Sequence, residues 1–408
     1  MNDIEETLCR TLGHAAEQAP RLPSTLPGQL ATGYRRRRNR ARAVLAATAV
    51  VVVAGGTTVG LRGGAIEAVS PATDPTGIPS AMISTAPQET LPPPIEQVWP
   101  EAVRKVSAEG PDGKEFTPLA FIDDRNVLVS TSAGFERTAA LYAFDLDSRE
   151  FRKIADTPIP AGTVTFSSDF TIGNGQVAWW TATSDARAHI YRAPLYGGEA
   201  ELVTSLEITD QQDMGLGSLD VADDRIYFSE QEGGVYSVLL GGGRVEQVQN
   251  SAGMHVLSWP WIGRPRYLGE SDGPRFGEIR NVETGETRTA VTRPGEKSVT
   301  CDLTYCSGIR SDGESFHRLR DGSQERTLPG DIPQLMPPAL GRFSITTVRD
   351  ERALLGVALH DLTTGTSADL GLRPRGKSIS HPGFSRDNRL LSYAFGGEVV
   401  IVDLAKIR

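Results

Sequence analysis

The chain has 408 residues, 39% hydrophobic and 23% charged, which is enough apolar material for a sizeable core. Its 43 glycines and 26 prolines favour many short strands and turns over long helices. The net charge of −9 is unevenly placed, because residues 1–62 hold nine Lys and Arg against four Asp and Glu, which leaves −14 for the remainder. A phosphate-binding groove needs a basic surface, so this balance argues against a nucleic-acid partner for the larger part.

The first stretch, "NDIEETLCRTLGHAAEQAP", predicts a short amphipathic helix that ends at Pro20. Asn2 or Asp3 supplies a cap for it. A lone helix of this length is marginal in water, so its apolar face is predicted to dock on a protein partner or on the membrane surface, although a solvated stub also fits. The apolar face consists of Ile4, Leu8, Leu12 and Ala15.

The segment "YRRRRNRARAVLAATAVVVVAGGTTVGLRGG" predicts one transmembrane helix over residues 43–61. This uncharged run spans about 28 Å as a helix, close to the thickness of a bilayer core. The positive-inside bias places residues 1–42 in the cytoplasm and the rest outside. The arginines that set this topology are Arg35, Arg36, Arg37, Arg38, Arg40 and Arg42.

The region admits three other interpretations. A buried core helix and a cleaved secretory signal both fit an apolar run, but 42 residues are too many for the segment that precedes the apolar core of a signal. The arginine run could contact nucleic acid, but its place beside the apolar run favours anionic lipid.

Residues 62–95, which include "SPATDPTGIPSAMISTAPQETLPPPI", are rich in Pro, Thr and Ser and nearly free of charge. Such a composition cannot bury a core, so we expect an extended or disordered extracellular stalk.

From residue 96 to residue 408 a unit of four short strands recurs with a period of about 45 residues, as in "LGSLDVADDRIYFSEQEGGVYSVLLGGGRVEQVQ". Alternating apolar residues between tight turns indicate antiparallel meanders. The pattern predicts an all-β, seven-bladed β-propeller, although six or eight blades also fit. In "VAWWTA", Trp179 and Trp180 point to opposite faces of one strand, so at most one is expected in the deep core.

The last unit, "HPGFSRDNRLLSYAFGGEVVIVDL", supplies only three strands before the chain stops. A three-stranded sheet would leave an unpaired edge. We predict that residues 97–107 provide the missing outer strand and thereby close the ring.

Cys301 and Cys306 enclose a predicted turn between the first two strands of the fifth unit. A disulfide is expected there, because bridging is geometrically easy and the predicted exterior permits it. Free thiols or half of a metal site are the alternatives. The six histidines lie in no metal or nucleophile motif, so no catalytic residue, metal site or cofactor is predicted.

The closing stretch "HPGFSRDNRLLSYAF…VVIVDL" resembles the repeat of TolB-like and WD-repeat-like β-propellers. That resemblance implies a structural role for His381 at a turn. The layout also resembles actinobacterial single-pass, membrane-anchored propeller proteins associated with extracytoplasmic-function-type sigma factors. This second resemblance implies a signalling or envelope role.

The resulting expectation is a cell-membrane protein with an extracellular propeller that binds or senses an unknown ligand. The cytoplasmic helix is expected to contact a regulator such as a sigma factor. An architectural envelope protein is the first alternative. An extracellular carbohydrate-active enzyme is the second, and it requires two carboxylates that converge at the channel mouth.

Overall fold

The computed structural model of this protein describes residues 49–50 and 90–408, apart from 135–136, 209–214, 266–272, 330–335, 351–352 and 377. Within the described residues, seven antiparallel sheets follow one another along the chain, and each forms one blade of a β-propeller. The prediction of an all-β, seven-bladed propeller is therefore confirmed.

The strands of each blade run from the central channel outwards, and blades are numbered in chain order. Blade 1 comprises Phe116–Phe121, Asn126–Gly134, Arg137–Asp145 and Phe151–Asp156. Blade 2 comprises Thr163–Gly173, Gln176–Thr183, Arg187–Pro194 and Glu201–Glu207. Blade 3 comprises Leu216–Ala222, Arg225–Glu230, Val235–Leu239 and Glu246–Gln247. Blade 4 comprises His255–Ser258, Trp261–Gly263, Glu278–Asn281 and Thr287–Thr289.

The remaining blades complete the ring. Blade 5 comprises Lys297–Cys301, Tyr305–Ile309, Ser315–Leu319 and Arg326–Thr327. Blade 6 has three described strands, Phe343–Arg349, Leu354–Asp361 and Ser367–Asp369. Blade 7 comprises Gly383–Phe384, Leu390–Phe395, Glu398–Asp403 and, from the start of the domain, Val103–Ser107.

Outside the blades, the described elements are short. Ala49–Val50, which the sequence predicts as part of the transmembrane helix, is instead a two-residue strand that pairs with Ser380–His381. Single helical turns occupy Ile95–Val98, Pro111–Gly113 and Leu404–Lys406. Among the described residues, no helix is both long and apolar enough to cross a bilayer. The predicted cytoplasmic helix, the rest of the predicted span and the stalk up to residue 89 lie outside the described residues and stay predictions.

The ring closes as predicted, through a strand from the start of the domain. Val103 pairs with Val402, and Val106 pairs with Val399, in antiparallel register. The closing strand is shorter than the predicted 97–107, because Pro100 has no N–H for the ladder and the residues before it form the turn Ile95–Val98.

A charged clamp reinforces this closure between blades 7 and 1. The Arg389 guanidinium donates to both carboxylate oxygens of buried Asp403, at 2.9 and 2.8 Å, and to Asp124 of blade 1 at 2.7 Å. It also lies over the Phe121 ring, 4.5 Å from its centroid. These carboxylates raise the pKa of Arg389, opposed by its burial, so the clamp stays charged.

The core is a ring of hydrophobic clusters between neighbouring blades rather than one central mass. Trp179 belongs to the cluster between blades 1 and 2, and Trp180 to the cluster between blades 2 and 3. Both indoles are therefore buried, and the expectation that at most one is deep core is wrong. Each blade is packed between two neighbours, so both faces of its strands are interior.

Candidate functional site

Two carboxylates meet on the inner strands of blades 2 and 3, which line the channel. Asp169 lies on the inner strand of blade 2, and its carboxylate accepts a hydrogen bond from the backbone N–H of Leu219 in blade 3. Asp220, which follows Leu219 in the chain, accepts a hydrogen bond from the Thr171 hydroxyl of blade 2 at 3.5 Å and another from the Trp259 N–H of blade 4 at 2.8 Å. Blades 2, 3 and 4 are thus tied together at this point of the channel wall.

Arg386 of blade 7 forms an ion pair with one of these two carboxylates, Asp169. It lies in the turn after the inner strand of blade 7, and its Nη1 is 3.0 Å from Asp169 Oδ1. The ion pair therefore joins blade 7 to blade 2 past blade 1. Burial raises the pKa of Asp169, and the charge of Arg386 opposes this rise.

The chemistry available at this channel cluster is limited by these contacts. Asp220 receives a third hydrogen bond, from the Val221 N–H at 3.0 Å, and Asp169 is neutralised by Arg386. No group of three or more His, Cys, Asp or Glu side chains in the described part of the chain is placed to hold a metal ion. The arrangement can hold neighbouring blades in register or receive a polar group in the channel.

A second polar cluster lies between blades 5 and 6, where hydrophobic packing would be expected. Six hydrophobic clusters of described residues join the other six pairs of neighbouring blades, and none of them joins blades 5 and 6. We call this contact the polar joint. Its members are Tyr305, Ser307 and His317 of blade 5 with Ser344, Thr346, His360 and Ser367 of blade 6.

Strand alternation places these side chains at the joint. In blade 6, Phe343 and Ile345 pack into the cluster shared with blade 7, so Ser344 and Thr346 point the other way. In blade 5, Cys306 packs into the cluster shared with blade 4, so Ser307 on the same strand points towards blade 6.

Two direct contacts show that the two blades meet there. Arg326 of blade 5 donates to the Leu362 carbonyl of blade 6 at 2.8 Å. Tyr305 lies against Gly341, where an added Cβ would be 2.4 Å from the tyrosine ring.

The imidazoles of the polar joint are held neutral. His360 Nε2 lies 2.6 Å from the Thr346 hydroxyl and its Nδ1 lies 2.6 Å from the Ser367 hydroxyl. Ser307 pairs with His317 across the two strands. The Ser307 hydroxyl and His317 Nδ1 are both buried, and neither has a hydrogen-bond partner among the described residues. Burial lowers the pKa of both His317 and His360 to about 4, and Arg326 adds to the effect at His317.

The predicted cysteine pair lies in the same blade. Cys301 and Cys306 form a disulfide with an S–S distance of 2.01 Å across the turn between the first two strands of blade 5. The turn also holds Asp302, whose pKa is raised by burial although the backbone N–H groups of Thr304 and Tyr305 oppose the rise.

The other residues singled out by sequence fall into two groups. The helix face Ile4, Leu8, Leu12 and Ala15 and the six arginines between Arg35 and Arg42 lie outside the described residues. His381 is buried, and its Nε2 lies 2.8 Å from the Thr347 hydroxyl, so it links blade 7 to blade 6. Sequence reasoning missed the channel cluster and the polar joint, because their members are far apart in the chain.

No family model and no curated protein matches this chain. Many solved structures resemble it in fold, among them the following three. The WD40 β-propeller domain of Doa1 has a TM-score of 0.39 and 11% identity, over 73% of this chain and 95% of that one. An oligogalacturonate lyase in complex with manganese has a TM-score of 0.31 and 11% identity, over 71% and 77%. A TolB protein from Agrobacterium tumefaciens has a TM-score of 0.32 and 13% identity, over 74% and 98%. At this level of similarity they carry no argument about ligand or activity.

Proposed function

We propose that this protein is a membrane-anchored binding and sensing module, with the propeller outside the cell and residues 1–42 coupled to a cytoplasmic regulator such as a sigma factor. The observation that carries the proposal is the closed ring. Its closing strand Val103–Ser107 comes soon after the predicted stalk, residues 62–95, in the sequence. A single membrane anchor before the stalk would therefore hold the entire propeller. Propellers bind partners through loops around a central channel, and this channel carries a polar cluster at Asp169, Asp220 and Arg386.

The anchor and its direction rest on the sequence. The uncharged run 43–61 has six arginines on one side, and on the other Arg62 is the last cation before Arg104. A phosphatase reporter that is active only outside the cytoplasm tests this topology. A fusion after residue 90 should be active, and a fusion after residue 34 should be inactive. Replacing the six arginines by glutamine should weaken this difference, and equal activity of the two fusions would refute the anchor.

The coupling to a regulator rests on the apolar helix face. In the full-length protein, Leu8→Asp with Leu12→Asp should abolish co-purification of a sigma factor identified by mass spectrometry. Glu6→Gln with Glu17→Gln, on the opposite face of the predicted helix, is the matched control and should leave it intact. The coupling would be contradicted if both variants recovered the same sigma factor. It would also be contradicted if no sigma factor was recovered with the native chain or with either variant.

An extracellular enzyme is the second candidate, and the meeting of Asp169 and Asp220 at the channel is the observation that favours it. Glycosidases use two carboxylates, one of which carries a proton. It ranks second because Asp169 is paired with Arg386 and Asp220 accepts three hydrogen bonds. Hydrolysis of a neutral polysaccharide by the native protein, lost in Asp220→Asn, would reverse this ranking.

A further inference from the structure

The polar joint is a weak point of the ring on physical grounds. Apolar burial is the main force that holds blades together. The joint between blades 6 and 7 buries Phe343, Leu359, Leu391 and Val400 in one cluster. At the polar joint, hydroxyl and imidazole groups stand at several of the buried positions, beside the apolar Val348 and Ala358, and water can satisfy these polar groups when the joint opens.

Two of the buried polar atoms add to this weakness. Ser307 Oγ and His317 Nδ1 have no hydrogen-bond partner among the described residues. A buried polar atom without a partner destabilises the closed state, and opening removes that cost because water becomes available.

The closed joint also excludes protons. His317 and His360 are each about 5% exposed, and their surroundings offer few charges. The titratable neighbours of His317 are Tyr305, with ring centroids 6.3 Å apart, and the cation Arg326. His360 is held on both nitrogens by hydroxyls and receives no carboxylate. A charged imidazole in either place would therefore lack a counter-ion.

We propose that the propeller opens at the polar joint between blades 5 and 6, and that proton uptake by His317 and His360 drives the opening. The open state exposes both imidazoles to water, where they bind protons at an ordinary pH for histidine, near 6.5. Because the closed state excludes those protons down to about pH 4, acid favours the open state across this window. Acid therefore separates blades 5 and 6, while the pairing of Val103–Ser107 with blade 7 stays intact.

A buried thiol reports the opening. The full-length protein in detergent micelles carries Cys9→Ser, and Cys301 and Cys306 are bonded to each other, so one introduced cysteine is the sole free thiol. Ser307→Cys places it at the polar joint. Thr181→Cys is the matched control, because Thr181 is equally buried, has an unpartnered hydroxyl and pairs with a histidine, His189, in blade 2.

The labelling rate is measured between pH 7 and pH 5 with a dipyridyl disulfide, which reacts with thiols in acid, and is divided by the rate for glutathione at each pH. Ser307→Cys should react several hundred-fold faster at pH 5 than at pH 7, on the order of what two linked protons predict. Thr181→Cys should show no such increase.

Substitution of the imidazoles separates linkage from general loosening. His317→Phe or His360→Phe in the Ser307→Cys background should halve the logarithmic slope of rate against pH, and the double variant should remove it. His317→Gln replaces His317→Phe if circular dichroism shows a folding defect. The proposal is overturned if both cysteines gain reactivity together, if Ser307→Cys shows no pH dependence, or if the slope survives loss of both histidines.

Discussion

The two sides of blade 6 are built from opposite chemistry. Towards blade 7, Phe343, Ile345 and Leu359 pack with Leu391 and Val400 in the largest of the hydrophobic clusters. Towards blade 5, the alternate positions of the same strands hold Ser344, Thr346 and His360 together with the apolar Val348 and Ala358, and they face the blade that carries Ser307 and His317. We call the first contact the apolar joint. One side of blade 6 is therefore held mainly by apolar packing, whereas the other side carries several buried polar groups.

The largest difference between the joints is expected from a matched pair of truncations. Leu391→Ala removes a fully buried side chain from the apolar joint and should lower the free energy of unfolding by about 3 kcal/mol. Ser307→Ala removes an unpartnered hydroxyl from the polar joint and should change it by less than about 1 kcal/mol. Urea unfolding of the full chain, followed by tryptophan fluorescence, measures both. Equal losses would show that the two joints do not differ in strength.

Part of this comparison could be predicted from sequence. The apolar alternation of "GEVVIVDL" and the lack of a fourth strand in the last unit predict the closure, and Val103–Ser107 supplies it. The chemistry of the polar joint could not be predicted, because polar residues such as Ser344 and His360 at alternate positions of a strand are typical of a face exposed to solvent. In a propeller both faces of a blade are buried, which is also why Trp179 and Trp180 are both interior.

The channel cluster shows a different limit of sequence reasoning. Asp169 and Arg386 are 217 residues apart, and no local pattern connects them. Only the order of blades around the ring brings the turn of blade 7 next to the inner strand of blade 2. A repeat pattern predicts strands and their neighbours, whereas contacts between non-neighbouring blades follow from the closed shape.

The next largest effect is expected when the charged clamp between blades 7 and 1 is compared with the polar joint. Arg389→Met removes the guanidinium that donates to both oxygens of the buried Asp403 carboxylate and leaves it only Lys406, at 3.7 Å, so the variant should lose about 2–3 kcal/mol of unfolding free energy. Arg326→Met breaks one exposed hydrogen bond to a carbonyl at the edge of the polar joint, and should cost less than about 1 kcal/mol. Thermal unfolding at low and at high salt distinguishes them, and a larger loss in Arg326→Met would invert the comparison.

The pH dependence of global stability sharpens the comparison further. The folded pKa of His360 is about 4, below its ordinary value, so the unfolded chain binds the extra proton and stability falls as pH decreases from about 6.5 to 4. His360→Phe should reduce this acid loss by about 1.4 kcal/mol per pH unit. The buried carboxyl of Asp302 acts in the opposite direction, so the native and variant proteins are compared over the same pH series. An unchanged slope in the variant would show that His360 is not excluded from protons.

The smallest effect concerns the disulfide of blade 5, which lies in a small hydrophobic cluster. Its cluster with blade 4 contains only Ala290, Val299 and Phe316 besides the two cysteines. The loop between Cys301 and Cys306 is short, so Cys301→Ala with Cys306→Ala should lower the unfolding free energy by no more than about 2 kcal/mol. The apolar joint is remote from this turn, so amide exchange at Val399–Val402 should change less than exchange at Tyr305–Ile309, when each is compared with the native protein. Equal changes at both places would mean that the ring responds as one unit and that its two joints do not open separately.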